Sequence, residues 1–137
     1  MVVKVSTLSN HPLIAIVDDD PDVREALADL LQVAGLSART YDGAVAFFDD
    51  YAPGRFDLVV TDLAMPGTDG IELLRRLRAM DDALGAIVVT SSPDLATRAK
   101  AAAQGALACL GKPIDGDALL RLIGIALAGD RNAPPGR

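Results

Sequence analysis

The chain predicts an α/β domain, a parallel sheet covered by helices on both faces. Five short candidate strands, at 13–17, 36–41, 56–61, 86–90 and 107–110, all but the second largely apolar, alternate with five stretches of helical periodicity. Such alternation needs right-handed crossovers, which make neighbouring strands parallel and put helices on both sides. The run Leu13-Ile14-Ala15-Ile16-Val17 is continuously apolar rather than alternating, the pattern of a strand covered on both faces. Half of the 137 residues are hydrophobic but only 4% are aromatic, so the core must come from Leu, Ile, Val and Ala. That length suits one domain, able to bury over half of its unfolded surface.

Residues 1–12 alternate only weakly and read as an irregular lead-in, with His11 a solvated lone histidine. The domain proper spans 13–128. After the first strand, Asp18-Asp19-Asp20-Pro21-Asp22 opens a helix, with Asp20 as cap, Pro21 at the first position and Asp22 in the first turn. Its stripe of Val23, Leu27, Leu30, Leu31 and Ala34 stops at Gly35. A second helix is expected over 42–52, with Val45, Phe47, Phe48 and Tyr51, ended by Pro53-Gly54. Met65-Pro66-Gly67 turns the chain after the third strand, and Asp69 with Glu72 forms a capping box for a helix carrying Ile71, Leu74 and Leu77 inward and Arg75, Arg76 and Arg78 largely outward. Ser92 and Pro93 suit the start of a fourth helix with a shallow face of Leu95, Ala99, Ala102 and Ala103, ending at Gly105. Asp115 or Asp117 starts a fifth, through Leu119, Leu122, Ile123 and Ala126. Residues 129–137 read as a tail or linker stub.

Composition also narrows the function. A net charge of −6 argues against direct nucleic-acid binding, which rests on clustered Lys and Arg. Cys109 is the single cysteine and His11 the single histidine, which excludes an internal disulfide and argues against zinc; a reducing, cytoplasmic home fits. The apolar run 13–17 is too short to span a bilayer, and 1–10 lacks the hydrophobic core of a signal peptide, so a membrane is not expected as partner.

In a sheet of this kind the loops after the strands gather at the carboxyl edge, where chemistry is done. Asp18 and Asp19 follow the first strand, Asp62 the third, Thr90 the fourth and Lys112 the fifth. Each has a bland reading: helix capping for an Asp run, β propensity for Thr, a solvated loop charge for Lys before Pro. Their convergence on one edge favours a site. Two carboxylates ~4 Å apart at an effective dielectric of ~20 repel by ~4 kcal/mol, so Asp18, Asp19 and Asp62 require cations. Lys112 offsets one charge, and a hard divalent ion that keeps several waters, Mg²⁺, suits the rest. A metal, an ammonium and a hydroxyl around one nucleophilic carboxylate are what receiving a phosphoryl group asks for, with an aspartyl phosphate as product.

These residues closely resemble the receiver domain of two-component response regulators. The likeness runs from Leu13 to about Ala128 through Ile-Val-Asp-Asp-Asp at 16–20, Val-Thr-Asp-Leu-Ala-Met-Pro-Gly-Thr-Asp-Gly at 60–70, Val-Val-Thr-Ser at 88–91 and Gly-Lys-Pro at 111–113. The resemblance implies a flavodoxin-like, doubly wound five-stranded sheet in the order 2-1-3-4-5 with five helices. It implies Asp62 as phosphoacceptor, Asp19 and Asp62 as direct Mg²⁺ ligands with the Ala64 carbonyl, Asp18 acting on the metal through water, and Thr90 and Lys112 in the roles above. A sensor histidine kinase or phosphotransfer protein is the implied partner. Homodimerisation through the face of helix four, strand five and helix five is a further option.

Two positions depart from the family pattern. Cys109 stands where an aromatic switch residue is usual and is expected to pack as a small buried hydrophobe, and Ile114 stands where Phe often follows Lys-Pro. Cys109 keeps open a receiver fold that binds partners without using phosphate, against which the intact Asp62, Thr90 and Lys112 count. With Ile114 it points to an output face of helix four, strand five and helix five that signals differently from the family norm. A phosphohydrolase of the haloacid-dehalogenase type is distantly approached by Asp18-Asp19-Asp20-Pro21-Asp22, but Asp22 replaces the motif's threonine and Pro21 breaks the loop. A signalling domain rather than a turnover enzyme is therefore expected.

Overall fold

The computed structural model describes residues 12–64 and 70–132. Its elements alternate as β1 (Leu13–Val17), α1 (Pro21–Val33), β2 (Ser37–Tyr41), α2 (Ala44–Asp50), β3 (Leu58–Asp62), α3 (Gly70–Met80), β4 (Ala86–Thr90), α4 (Leu95–Ala103), β5 (Ala108–Gly111) and α5 (Gly116–Asn132). The strands form one parallel sheet in the order β2-β1-β3-β4-β5, as the resemblance implied. Continuous apolar runs mark its centre: every residue of β3 and β4 is buried, because helices cover both faces. One core layer packs Leu73, Leu74 and Leu77 of α3 with Phe47 of α2 and Ala101 of α4; the other packs Leu27 and Leu31 of α1 with Leu119 and Ile123 of α5.

Local signals place most helix starts. Asp20 caps α1 by accepting from the Asp22 amide, with Pro21 in the first turn, as expected. Asp115 accepts from the Asp117 and Ala118 amides and caps α5. That helix continues to Asn132, past the point where a tail was expected to begin. The lead-in with His11, the turn at 65–67, the Asp69 cap and residues 133–137 lie outside the described residues.

Other expectations are corrected. α2 is shorter than 42–52, with Gly43 at its cap and Asp42 exposed before it. Arg78 does not point outward but folds back along the end of α3, donating to the carbonyls of Asp82 and Leu84. The fourth helix begins at Leu95, and its cap is Asp94, whose side chain accepts from the Thr97 amide, rather than Ser92. Its phase is also different: Leu95, Ala99, Ala102 and Ala103 face solvent, and Ala101 is the residue α4 buries. Alanines occupy every side of this helix, so their spacing selects no face, and Leu95, its one large apolar residue, is 86% exposed.

Candidate functional site

The carboxyl ends of β1, β3, β4 and β5 bring Asp18, Asp62, Thr90 and Lys112 together, as the order of units requires. Asp18 and Asp62 are 1% and 4% exposed, so both carboxylates have lost most of their hydration. Lys112 compensates them. Its Nζ lies 3.0 Å from Asp18 Oδ2 and 3.3 Å from Asp62 Oδ2, one ammonium between two acids. Burial works against the Lys112 ammonium, but the Asp18 hydrogen bond and the two negative charges outweigh it and raise its pKa. Burial and then the neighbouring Asp18 charge push the Asp62 carboxyl above the usual range, against the opposing pull of Lys112 and the Ala64 amide.

Asp19 is exposed at the mouth, and Asp18, Asp19 and Asp62 can present oxygens within 4.8 Å of one another. The backbone frames them tightly. Asp18 donates its amide to the Tyr41 carbonyl at the end of β2, and its side chain accepts from the Asp20 amide. Ala64, exposed just beyond β3, donates its amide to Asp62 Oδ1 at 3.3 Å. Thr90 ends β4, and its Oγ1 accepts from the Ser92 amide at 3.1 Å, which leaves the hydroxyl proton free to donate. The Lys112 amide bonds the Thr90 carbonyl at 2.8 Å, tying the last two strand ends to each other. An open cleft of about 350 Å³, lined by Leu63, Ala64, Ile71, Thr90, Ser92 and Lys100 among others, lies on the Thr90 side.

The family model for the response regulator receiver domain matches residues 14–124. The chain belongs to this family. Among curated relatives, the transcriptional regulatory protein FixJ of Azorhizobium caulinodans is 38% identical over 122 residues, covering 89% of this chain and 57% of that protein. The C4-dicarboxylate transport transcriptional regulatory protein DctD of Pseudomonas aeruginosa is 39% identical over 114 residues, covering 83% and 25%. The receiver thus spans a quarter to a little over half of these relatives. Among solved structures, FixJ-N is 30% identical with a TM-score of 0.78, covering 90% of this chain and 96% of that one. A CheY-like receiver from Methanospirillum hungatei shares the fold, with a TM-score of 0.84, 24% identity and coverage of 90% and 99%. Receivers of this family bind Mg²⁺ at an acidic pocket, and here the Asp18, Asp19 and Asp62 cluster is the group that could hold a metal. No helix among the described residues is long and apolar enough to cross a membrane.

Three features of this receiver's site were not read from the sequence. Arg24 on α1 donates from Nη1 to the Asp18 carbonyl at 2.7 Å, holding the acidic loop from below. Gly70 passes so close to the end of β3 that an added Cβ would stand 2.3 Å from the Asp62 carbonyl oxygen and 2.7 Å from Leu63 Cα. Arg98 on α4 donates to the carbonyls of Pro93 and Cys109. The Cys109 side chain is half-buried rather than fully enclosed, because β5 is the edge strand. It packs against the α3 and α4 layer, and burial pushes its thiol pKa up. Ile114 packs against the α1 and α5 layer, in an apolar groove beside Val23, Leu27 and Leu30.

Proposed function

We propose that this receiver accepts a phosphoryl group on Asp62 from a partner histidine kinase or phosphotransfer protein and works as a phosphorylation-controlled signalling module rather than a turnover enzyme. The observation that carries the reading is the Lys112 ammonium held between the buried carboxylates of Asp18 and Asp62. A structural ion pair would need one acid. Two acids and an exposed third make a site that is short of positive charge and open to water, which fits a hard cation with oxygen ligands. Asp18, Asp19, Asp62 and the Ala64 carbonyl would hold Mg²⁺, with Asp18 acting through water. When bound, the ion supplies positive charge for the transferring oxygens.

The chain's own residues do the remainder. An Asp62 carboxylate oxygen attacks phosphorus in line, the bond from phosphorus to the donor's imidazole nitrogen breaks, and an acyl phosphate forms on Asp62. Lys112 then exchanges part of its contact with Asp62 for a phosphoryl oxygen, and the Thr90 hydroxyl donates to another. The added charge displaces the Thr90 loop and α4, changing the surface that α4, β5 and α5 offer to partners, a second copy included. Beryllofluoride, a non-reactive phosphoryl mimic, tests this: with Mg²⁺ it should bind the wild type and fail to bind Asp62→Asn. Equal binding to both would sink the reading.

A further inference from the structure

Thr90 and Lys112 are joined by a closed circuit of contacts that runs through one side chain of α4. The Thr90 hydroxyl accepts from the Ser92 amide, and the next residue, Pro93, is held to β5 twice. Its ring lies against Gly111, where an added Cβ would stand 2.9 Å from Pro93 Cγ. Its carbonyl accepts from Arg98 Nε at 2.9 Å, while Nη1 of the same guanidinium reaches the Cys109 carbonyl at 2.8 Å. From Cys109 the strand leads to Lys112, whose amide returns to the Thr90 carbonyl. A guanidinium is suited to this place because its rigid fork can hold two carbonyls at once.

We propose that Arg98 is the positioning residue that couples the Thr90 loop to β5, so that a movement of the Thr90 hydroxyl is passed to the Cys109 segment and to α4. The inference rests on the phosphoacceptor reading of Asp62 and adds to it the path by which this chain transmits the event. Arg98 is exposed and makes hydrogen bonds to neutral carbonyls, contacts that rearrange without unfolding the helix. Ala101 is the residue α4 buries, so polar ties such as this one hold a large share of its position.

Amide spectra of the full chain, recorded with Mg²⁺ before and after beryllofluoride, test the coupling in wild type, Arg98→Met and Arg98→Lys. In the wild type, amides of Thr90, Ser91 and Ser92 and those of Ala108, Cys109 and Leu110 should all shift. In Arg98→Met the loop shifts should persist while the β5 shifts shrink by roughly threefold or more, a split that mere loss of stability would not produce. Arg98→Lys keeps the charge but cannot hold both carbonyls in a fork, and should fall between the two. β5 shifts of wild-type size in both variants would overturn the coupling and leave the phosphoacceptor reading intact. No shift anywhere in the wild type would overturn both.

Discussion

Helices α3 and α4 each follow a strand that carries a site residue, yet they are held to the sheet in different ways. α3 buries Gly70, Leu73, Leu74 and Leu77, and its first residue touches the backbone at Asp62. α4 buries Ala101 and adds the hydrogen bond from Arg98 to the Cys109 carbonyl of β5. At ~25 cal/mol per Å² of apolar surface, three leucines outweigh one alanine severalfold. The two halves of the site are therefore unequal: the half that would take the phosphoryl group is fixed by the core, and the half that would respond is fixed by polar contacts. A response element has to come from the less stable part of a fold, since a small change in charge must be able to move it.

The largest effect should come from the fixed half. Leu74→Ala removes a fully buried side chain and should lower unfolding stability by about 2–5 kcal/mol, read from denaturant titration at unchanged slope. A loss well under 1 kcal/mol would mean that α3 is not the anchor described.

A second test of the fixed half uses pH. Tyr41 ends β2, accepts the Asp18 amide on its carbonyl and donates its hydroxyl to Asp50 at 2.5 Å. Burial, then the Asp50 hydrogen bond and charge, push its pKa from 10.0 to about 12. The folded state therefore holds the phenol proton more tightly than the unfolded chain. The stability this contributes is complete below the unfolded value and is lost as pH rises from 10.0 towards about 12. Tyr41→Phe should flatten that alkaline decline, and a decline as steep as in the wild type would remove Tyr41 from the account. The smallest effect belongs to α4: Leu95→Ala should change stability by no more than about 0.5 kcal/mol, because Leu95 is 86% exposed. A loss of core size would break the contrast between the two helices.

How far the sequence could be read follows the same division. Continuous apolar strands, the Asp20-Pro21 start and the convergence of Asp18, Asp62, Thr90 and Lys112 were legible because each signal is local and the alternation of units does the rest. The face of α4 was not, since an alanine-rich helix offers similar residues on every side. Arg24 and Arg98 were missed for another reason: their partners are backbone carbonyls of Asp18, Pro93 and Cys109, and a carbonyl carries no residue identity to search for. Asp69-Gly70 read as a cap, while the need for glycine at 70 is a close approach to β3 that only the folded backbone reveals.

The most direct test is the location of the acyl phosphate. The full chain treated with acetyl phosphate and Mg²⁺ and then reduced with borohydride should carry homoserine at position 62, found by peptide mapping, and none after omission of Mg²⁺. Homoserine at Asp18 or Asp19 instead, or an unmodified Asp62 under conditions that modify another receiver, would contradict the account.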